Sequence, residues 1–281
     1  MLQYNCTQKS TRNKNLFGGK HMIYENNDFK FFKEFKVNID AKKNNEQVII
    51  KLPEYFDHFY DENIKRIKEY VFCKKFDYII LGFKSSVNTA VNFYKMLEEI
   101  EIYIKEIYKK YKKVYVVGIS KGGIINCLLY NKLMKNSNIK FINISVPYKG
   151  TIFADPEAVK KRLEERKIPF RRSIYNTYFK IYDGNFPDQM IQQNSDILNE
   201  VRYNSKIINF VAKATFSSFL KDLFSLNVES AFLYLIDKAL RIKGDGIVSI
   251  DSQTRNYKKD IKIKATHKTS YIIAIKKIVI L

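Results

Sequence analysis

Ser120, Asp245 and His267 are the residues whose types could do chemistry together. A serine hydroxyl becomes a nucleophile when a base takes its proton and an acid holds that base in the right tautomer. Ser120 stands in Gly118-Ile119-Ser120-Lys121-Gly122, a G-x-S-x-G spacing extended by Gly123. Such a spacing suits a serine held on a strained strand-to-helix turn with its Oγ raised above a sheet. A side chain at Gly118 or Gly122 would meet adjoining backbone, and the helix N-terminus behind the serine favours developing negative charge. Where a nucleophile sits on such a turn, the acid and then the base follow it in the chain. Of His21, His58 and His267, only His267 follows Ser120. Among the intervening acids Asp245 comes first, because Gly244 and Gly246 let its loop turn sharply beside a strand end; Asp251 comes second.

Val114, Val116 and Val117 form the β-branched run of a strand buried on both faces. Ile124, Ile125, Leu128 and Leu129 then recur at helical spacing, so the serine falls between strand and helix. Residues 76–83, FDYIILGF, predict a second buried strand, followed by a helix capped by Ser86 and running to about Tyr111. Residues 140–146, KFINISV, predict a third. Strands alternating with helices over short connections imply right-handed parallel crossovers and a sheet covered on both faces, with these three strands framing the serine. Ile261 to Ala265 alternates as a strand and leads into Thr266-His267, and residues 271–281 read as a closing helix.

The chain of 281 residues is long enough for one large α/β domain, and its 46% hydrophobic content, with 21 Phe and 20 Tyr, suffices for a core. A net charge of +21 permits attraction to phosphate or anionic lipid. Lysines run from end to end with acids interleaved, however, which argues against one nucleic-acid stripe. Lys109 to Lys113 and Lys160 to Arg172 are the denser clusters and read as solvated helix faces. Cys6, Cys73 and Cys127 are sparse and lack C-x-x-C spacing, and with so few histidines beside them no zinc-ligand spacing stands out. A reduced, cytoplasmic setting is the expectation, with no signal peptide and no membrane span.

The remaining stretches predict supporting structure. Residues 1–20 are polar and read as a loose arm. Phe29 to Ile39 and Gln47 to Leu52 read as a hairpin at a sheet edge, and residues 61–72 as a helix carrying Ile64, Ile67 and Val71. Residues of roughly 150 to 240 interrupt the strand-helix alternation with basic and aromatic segments, including Phe170, Phe179, Phe186, Phe216 and Phe219. They read as a cap over the strand ends.

With these residues in view, the sequence resembles the α/β-hydrolase superfamily, in its bacterial triacylglycerol lipase and esterase branch. GISKGG resembles the lipase elbow, residues 145–151 (SVPYKGT) resemble the S-x-P-H-x-G-T segment, and residues 244–249 (GDGIVS) are similar to the segment bearing the acid. A weaker likeness covers residues 190–198. Tyr148 stands where that family has a histidine, and Leu81-Gly82-Phe83 stands where a His-Gly pair normally precedes the first oxyanion donor.

The resemblance implies a mostly parallel sheet with helices on both faces and a lid-like insertion. It also implies Ser120, Asp245 and His267 as the catalytic residues of a serine ester hydrolase on acyl-chain substrates. The backbone N–H groups of Phe83 and Lys121 would form the oxyanion hole, and no metal or organic cofactor is required. Its substrate would be an ester or lipid, with peripheral contact to anionic membrane and no specific nucleic acid. A thioesterase, amidase or acyltransferase on the same fold, or a catalytically silent lipid-binding protein, remains the alternative.

Overall fold

The computed structural model describes residues 12–14, 22–26, 29–30, 32–38, 46–53, 76–83, 89–134, 138–181, 192–193, 195–201, 204–224, 228–256 and 258–280. The helix expected over 61–72, together with His21, His58, Ser86 and Phe186, lies outside the described residues.

Among the described residues nine strands form one sheet. In chain order they are β1 (Arg12–Lys14), β2 (Met22–Asn26), β3 (Phe32–Asn38), β4 (Gln47–Lys51), β5 (Phe76–Phe83), β6 (Lys113–Ile119), β7 (Ile139–Ile144), β8 (Ile208–Lys213) and β9 (Ile261–Lys264). Across the sheet the order is β1-β2-β3-β5-β4-β6-β7-β8-β9. β1, β2, β3 and β5 pair antiparallel in succession, whereas β5, β4, β6, β7, β8 and β9 form a six-stranded parallel run.

Two expectations change here. β3 and β4 are not a hairpin at an edge: β3 pairs with β5, while β4 lies between β5 and β6. Val48, Ile49 and Ile50 are all fully buried, and an apolar run without alternation belongs in the two-sided interior of a parallel sheet. The strand carrying Ser120 is therefore framed by β4 and β7, with β5 one place farther out. Within the expected N-terminal arm, Arg12–Lys14 is ordered as β1 against β2.

Period-two alternation divides the core into two layers. Val48, Ile50, Ile79, Leu81, Val114 and Val116 face α1 (Thr89–Tyr108) and α2 (Lys121–Leu133), which contribute Phe93, Met96, Ile100, Ile124 and Leu129. Ile49, Tyr78, Ile80, Tyr115, Val117 and Ile142 face α9 (His267–Ile280) through Tyr271, Ala274, Ile275 and Ile278. Each fully buried aliphatic side chain contributes about 1.5–3 kcal/mol of transfer energy. Truncating Ile124 to Ala between sheet and α2 would cost about 2–5 kcal/mol.

The stretch from 150 to 240 is divided by the sheet itself, because β8 sits between β7 and β9. A first helical excursion holds α3 (Pro156–Glu165), α4 (Arg171–Ile181) and the short α5 (Asp196–Glu200). α3 begins on a capping Asp155, whose carboxylate accepts the N–H groups of Glu157 and Ala158, with Pro156 in the first turn. The second excursion, between β8 and the turn at Asp245, is an α6–α7 pair (Phe216–Phe224 and Val228–Leu240). α8 (Ile250–Gln253) follows that turn. Phe153, Val159, Leu163, Tyr178, Ile236 and Leu240 join the two excursions in a third apolar cluster with Ile247 and Val248.

Candidate active site

Ser120 leaves β6 with φ 51° and ψ −125°, the left-handed side of backbone space that a β-carbon makes costly. It is the N-cap of α2, yet its hydroxyl makes no capping bond. The strain is held by close packing. Its N–H donates to Ile144 O at 3.0 Å, and its carbonyl accepts Gly123 N–H at 3.0 Å. A Cβ at Gly118 would lie 2.3 Å from Gly122 O, one at Gly122 2.9 Å from Pro53 O, and one at Gly123 1.9 Å from Val146 Cγ2. The glycines expected from the motif are thus required by backbone approach, and Gly123 by the side chain after β7.

Asp245 and His267 are brought together. His267 Nδ1 lies 2.7 Å from Asp245 Oδ2, and His267 N–H donates to Asp245 O at 2.8 Å. Both side chains are buried. The other carboxylate oxygen, Oδ1, accepts the N–H groups of Ile247 (3.0 Å) and Val248 (2.8 Å), so the turn orients its own acid. Asp251, the second candidate, instead pairs with Lys149 at 2.8 Å on the surface. His267 is the first residue of α9, delivered by β9, and its carbonyl accepts Ser270 Oγ–H at 2.8 Å.

Ser120, Asp245 and His267 follow β6, β8 and β9 respectively, all at the carboxyl ends of parallel strands, where open α/β sheets bind ligands. Each is at least nine-tenths buried. Asp237, on α7, adds a second buried carboxyl behind Asp245: its Oδ1 accepts Gly244 N–H at 3.2 Å, while its Oδ2 has no hydrogen-bond partner among the described residues. Burial, and then the charge of Asp245, push its pKa up to about 6.

The sequence matches no protein-family model and no curated protein. Among solved structures, the mature form of the Bacillus licheniformis lipase BlEst2 superposes with a TM-score of 0.51 at 15% identity, over 88% of this chain and 95% of that one. The propeptide form of BlEst2 gives 0.52 at 14% identity, over 88% of this chain and 53% of that one. The chain has the α/β-hydrolase fold.

Within this fold the structure does not bring Phe83 to the elbow. Register places Ile80 level with Lys51 and Lys51 level with Val117, so Phe83 is level with Ser120 but two strands away. Two strand spacings are about 9–10 Å, beyond any hydrogen bond to an atom bound at the serine. The backbone that passes the elbow is that after β4, where Leu52 N–H donates to Val117 O at 2.9 Å. Lys121, the first residue of α2, stays beside the serine with its backbone at the N-terminal end of that helix.

A buried polar network links α2 to α8. Asn126 Nδ2 on α2 donates to Asn143 Oδ1 at 2.7 Å, and Asn143 Nδ2 donates to Tyr148 Oη at 2.8 Å. Tyr148 Oη donates to Asn209 Oδ1 at 3.0 Å, and Asn209 Nδ2 to Gln253 O at 3.1 Å. The Arg255 guanidinium lies 4.1 Å from the centre of the Tyr148 ring. Burial drives the Tyr148 phenol well above its usual pKa, so it stays neutral and can donate. Sequence reading missed these roles. Their signal was a single asparagine inside each apolar run, Asn126 in α2, Asn143 in β7 and Asn209 in β8, where a polar group must find a partner.

Proposed function

We propose that this chain is a serine ester hydrolase acting on acyl-chain esters. The observation that carries the reading is the buried Asp245–His267 pair at the same sheet edge as a serine on a strained, glycine-packed turn. Asp245 fixes the proton on His267 Nδ1, which leaves Nε2 as the base. Ser120 Oγ attacks the ester carbonyl as its proton passes to Nε2, and the oxyanion is stabilised by the N–H of Lys121 and the N-terminal end of α2. The imidazolium then gives that proton to the leaving alcohol, and an acyl-serine forms. Water attacks this ester with Nε2 again as base, the acid departs, and Ser120 regains its proton.

The substrate assignment draws on the helical excursions. Phe170, Phe216, Phe224 and Leu235 are exposed on or beside α4, α6 and α7, more apolar surface than connecting segments need. Lys160, Lys161, Arg166, Lys167, Arg171 and Arg172 are exposed along the same stretch of chain as Phe170. Apolar side chains among cations suit approach to an anionic lipid surface carrying the ester.

The deciding experiment is labelling with a fluorophosphonate and mapping the adduct by mass spectrometry. Modification of Ser120, lost in Ser120→Ala, is expected. An unlabelled wild-type chain, or an adduct on Ser195 or Ser249, overturns the reading.

A further inference from the structure

Gln253, the last residue of α8, is fully buried although nothing in the expected chemistry calls for it. Its Oε1 accepts Ala212 N–H at 2.7 Å, and its Nε2 donates to Ala212 O at 3.1 Å and to Val248 O at 2.8 Å. One acceptor facing an N–H and one NH2 facing two carbonyls fix the orientation of the amide.

The need for this side chain arises from strand lengths. β7 pairs with β8 only as far as Ile144 opposite Phe210, and Ser145 N–H takes Phe210 O at 3.0 Å. Two residues farther along, Ala212 presents its N–H and C=O on the same side, past the end of β7. The Gln253 amide takes both, acting as a one-residue continuation of the missing strand. Its third bond reaches Val248, the residue whose N–H holds Asp245 Oδ1 and whose carbonyl accepts Asp245 N–H at 3.2 Å.

β8 is thereby common to both members of the pair. On its other side it pairs with β9, with Ala265 N–H donating to Lys213 O at 3.1 Å just before His267. His267 is registered to β8 through β9, and Asp245 is registered to β8 on one side by Gly244 O, which accepts Ala214 N–H at 2.8 Å just past β8, and on the other through Val248 and Gln253. We propose that Gln253 is a positioning residue, which sets the Asp245 carboxylate against His267 by clamping the acid turn to β8. An asparagine would be one carbon too short to span Ala212 and Val248 together, and no other uncharged side chain offers both an acceptor and two donors in one plane.

This rests on the reading of Asp245 and His267 as catalytic, and the test separates the two claims. Gln253→Met keeps length and apolar bulk but loses three bonds, while the isosteric Gln253→Glu keeps the acceptor for Ala212 N–H and loses the donor. Both are compared with wild type for kcat and KM on p-nitrophenyl butyrate, and for the low-field proton resonance of His267 Nδ1–H. We expect kcat to fall about 10- to 100-fold with KM within about threefold, as for a displaced catalytic group, and the resonance to move upfield or broaden in both variants. A folded variant with wild-type kcat and an unchanged resonance overturns the proposal.

If the wild-type chain turns over no ester, the hydrolase reading fails and the resonance alone judges Gln253. Should neither variant fold, hydrogen exchange of the wild type decides. Ala212 and Val248 amides protected together with β8 support the clamp, and a Val248 amide exchanging far faster than Ala212 overturns it.

Discussion

His267 Nδ1 and Asp245 Oδ2 are 2.7 Å apart, and the same two residues are joined a second time by His267 N–H and Asp245 O. The ring is therefore held at both its side chain and its backbone, so its Nε2 faces one direction. Removing either partner tests what that arrangement does. His267→Ala should lower kcat by about 10³-fold or more, because the base is lost while the N-terminal end of α2 remains. Asp245→Asn keeps an acceptor for Ile247 and Val248 but removes the charge facing His267, and a fall of about 10³- to 10⁴-fold is expected. Steady-state rates on a short p-nitrophenyl ester check both, and near-normal turnover in either variant rejects the assignment.

Strain at Ser120 makes a prediction about stability. With φ at 51° and no capping bond from its hydroxyl, the serine contributes little to folding. Ser120→Gly relieves the β-carbon and should leave the melting temperature equal to or above that of Ser120→Ala, with activity lost in both. The gain is on the order of 1 kcal/mol. A lower melting temperature for the glycine variant would show that the turn is not strained.

The opposite holds for Gly123. Its missing Cβ would overlap Val146 Cγ2 at 1.9 Å, so Gly123→Ala must push α2 away from the residue after β7. A loss of about 1–3 kcal/mol or more follows from overpacking. Pairing Gly123→Ala with Val146→Ala should recover much of it, and a double-mutant cycle measured by denaturant unfolding reads that coupling directly.

Asp237 sets a pH dependence whose sign can be worked out. Its pKa in the folded chain is raised from 3.8 to about 6, first by burial and then by Asp245. Between those values the folded form holds more protons than the unfolded form, so stability falls as pH rises through that window. Above it the cost of the buried charge is fully present, up to about 3 kcal/mol for a shift of this size. Asp237→Asn should therefore raise the melting temperature at pH 7–8 and leave it unchanged near pH 3.5. A uniform shift at both pH values would contradict the assignment.

Exposed aromatic residues of the helical excursions lead to the substrate test. If Phe216 and its neighbours meet the acyl chain, kcat/KM should climb along an ester series by up to ~0.8 kcal/mol per buried methylene. Anionic vesicles should raise activity at low salt, and the effect should fade as salt screens the Lys160 to Arg172 cluster. Fastest turnover of acetyl esters with no vesicle effect would replace a lipase with a small-ester hydrolase.

By itself the sequence determined the elbow, because everything needed there is local: a β-branched run, glycines at fixed offsets and an apolar helix. It also singled out His267 by elimination, and Asp245 over Asp251 by flanking glycines. Strand order was decided only by the tertiary structure. β4 and β5 are both short apolar runs, and which of them lies against β6 depends on long-range pairing that no local pattern encodes. That one fact moved Phe83 away from the serine. The roles of Asn126, Asn143, Asn209 and Gln253 were likewise set by tertiary structure, since a buried amide shows only as a polar break in an apolar run until the chain brings its partners within about 3 Å. Local backbone chemistry is written in neighbouring residues, whereas the placement of an acid against a base over 22 positions is written in strand lengths and register.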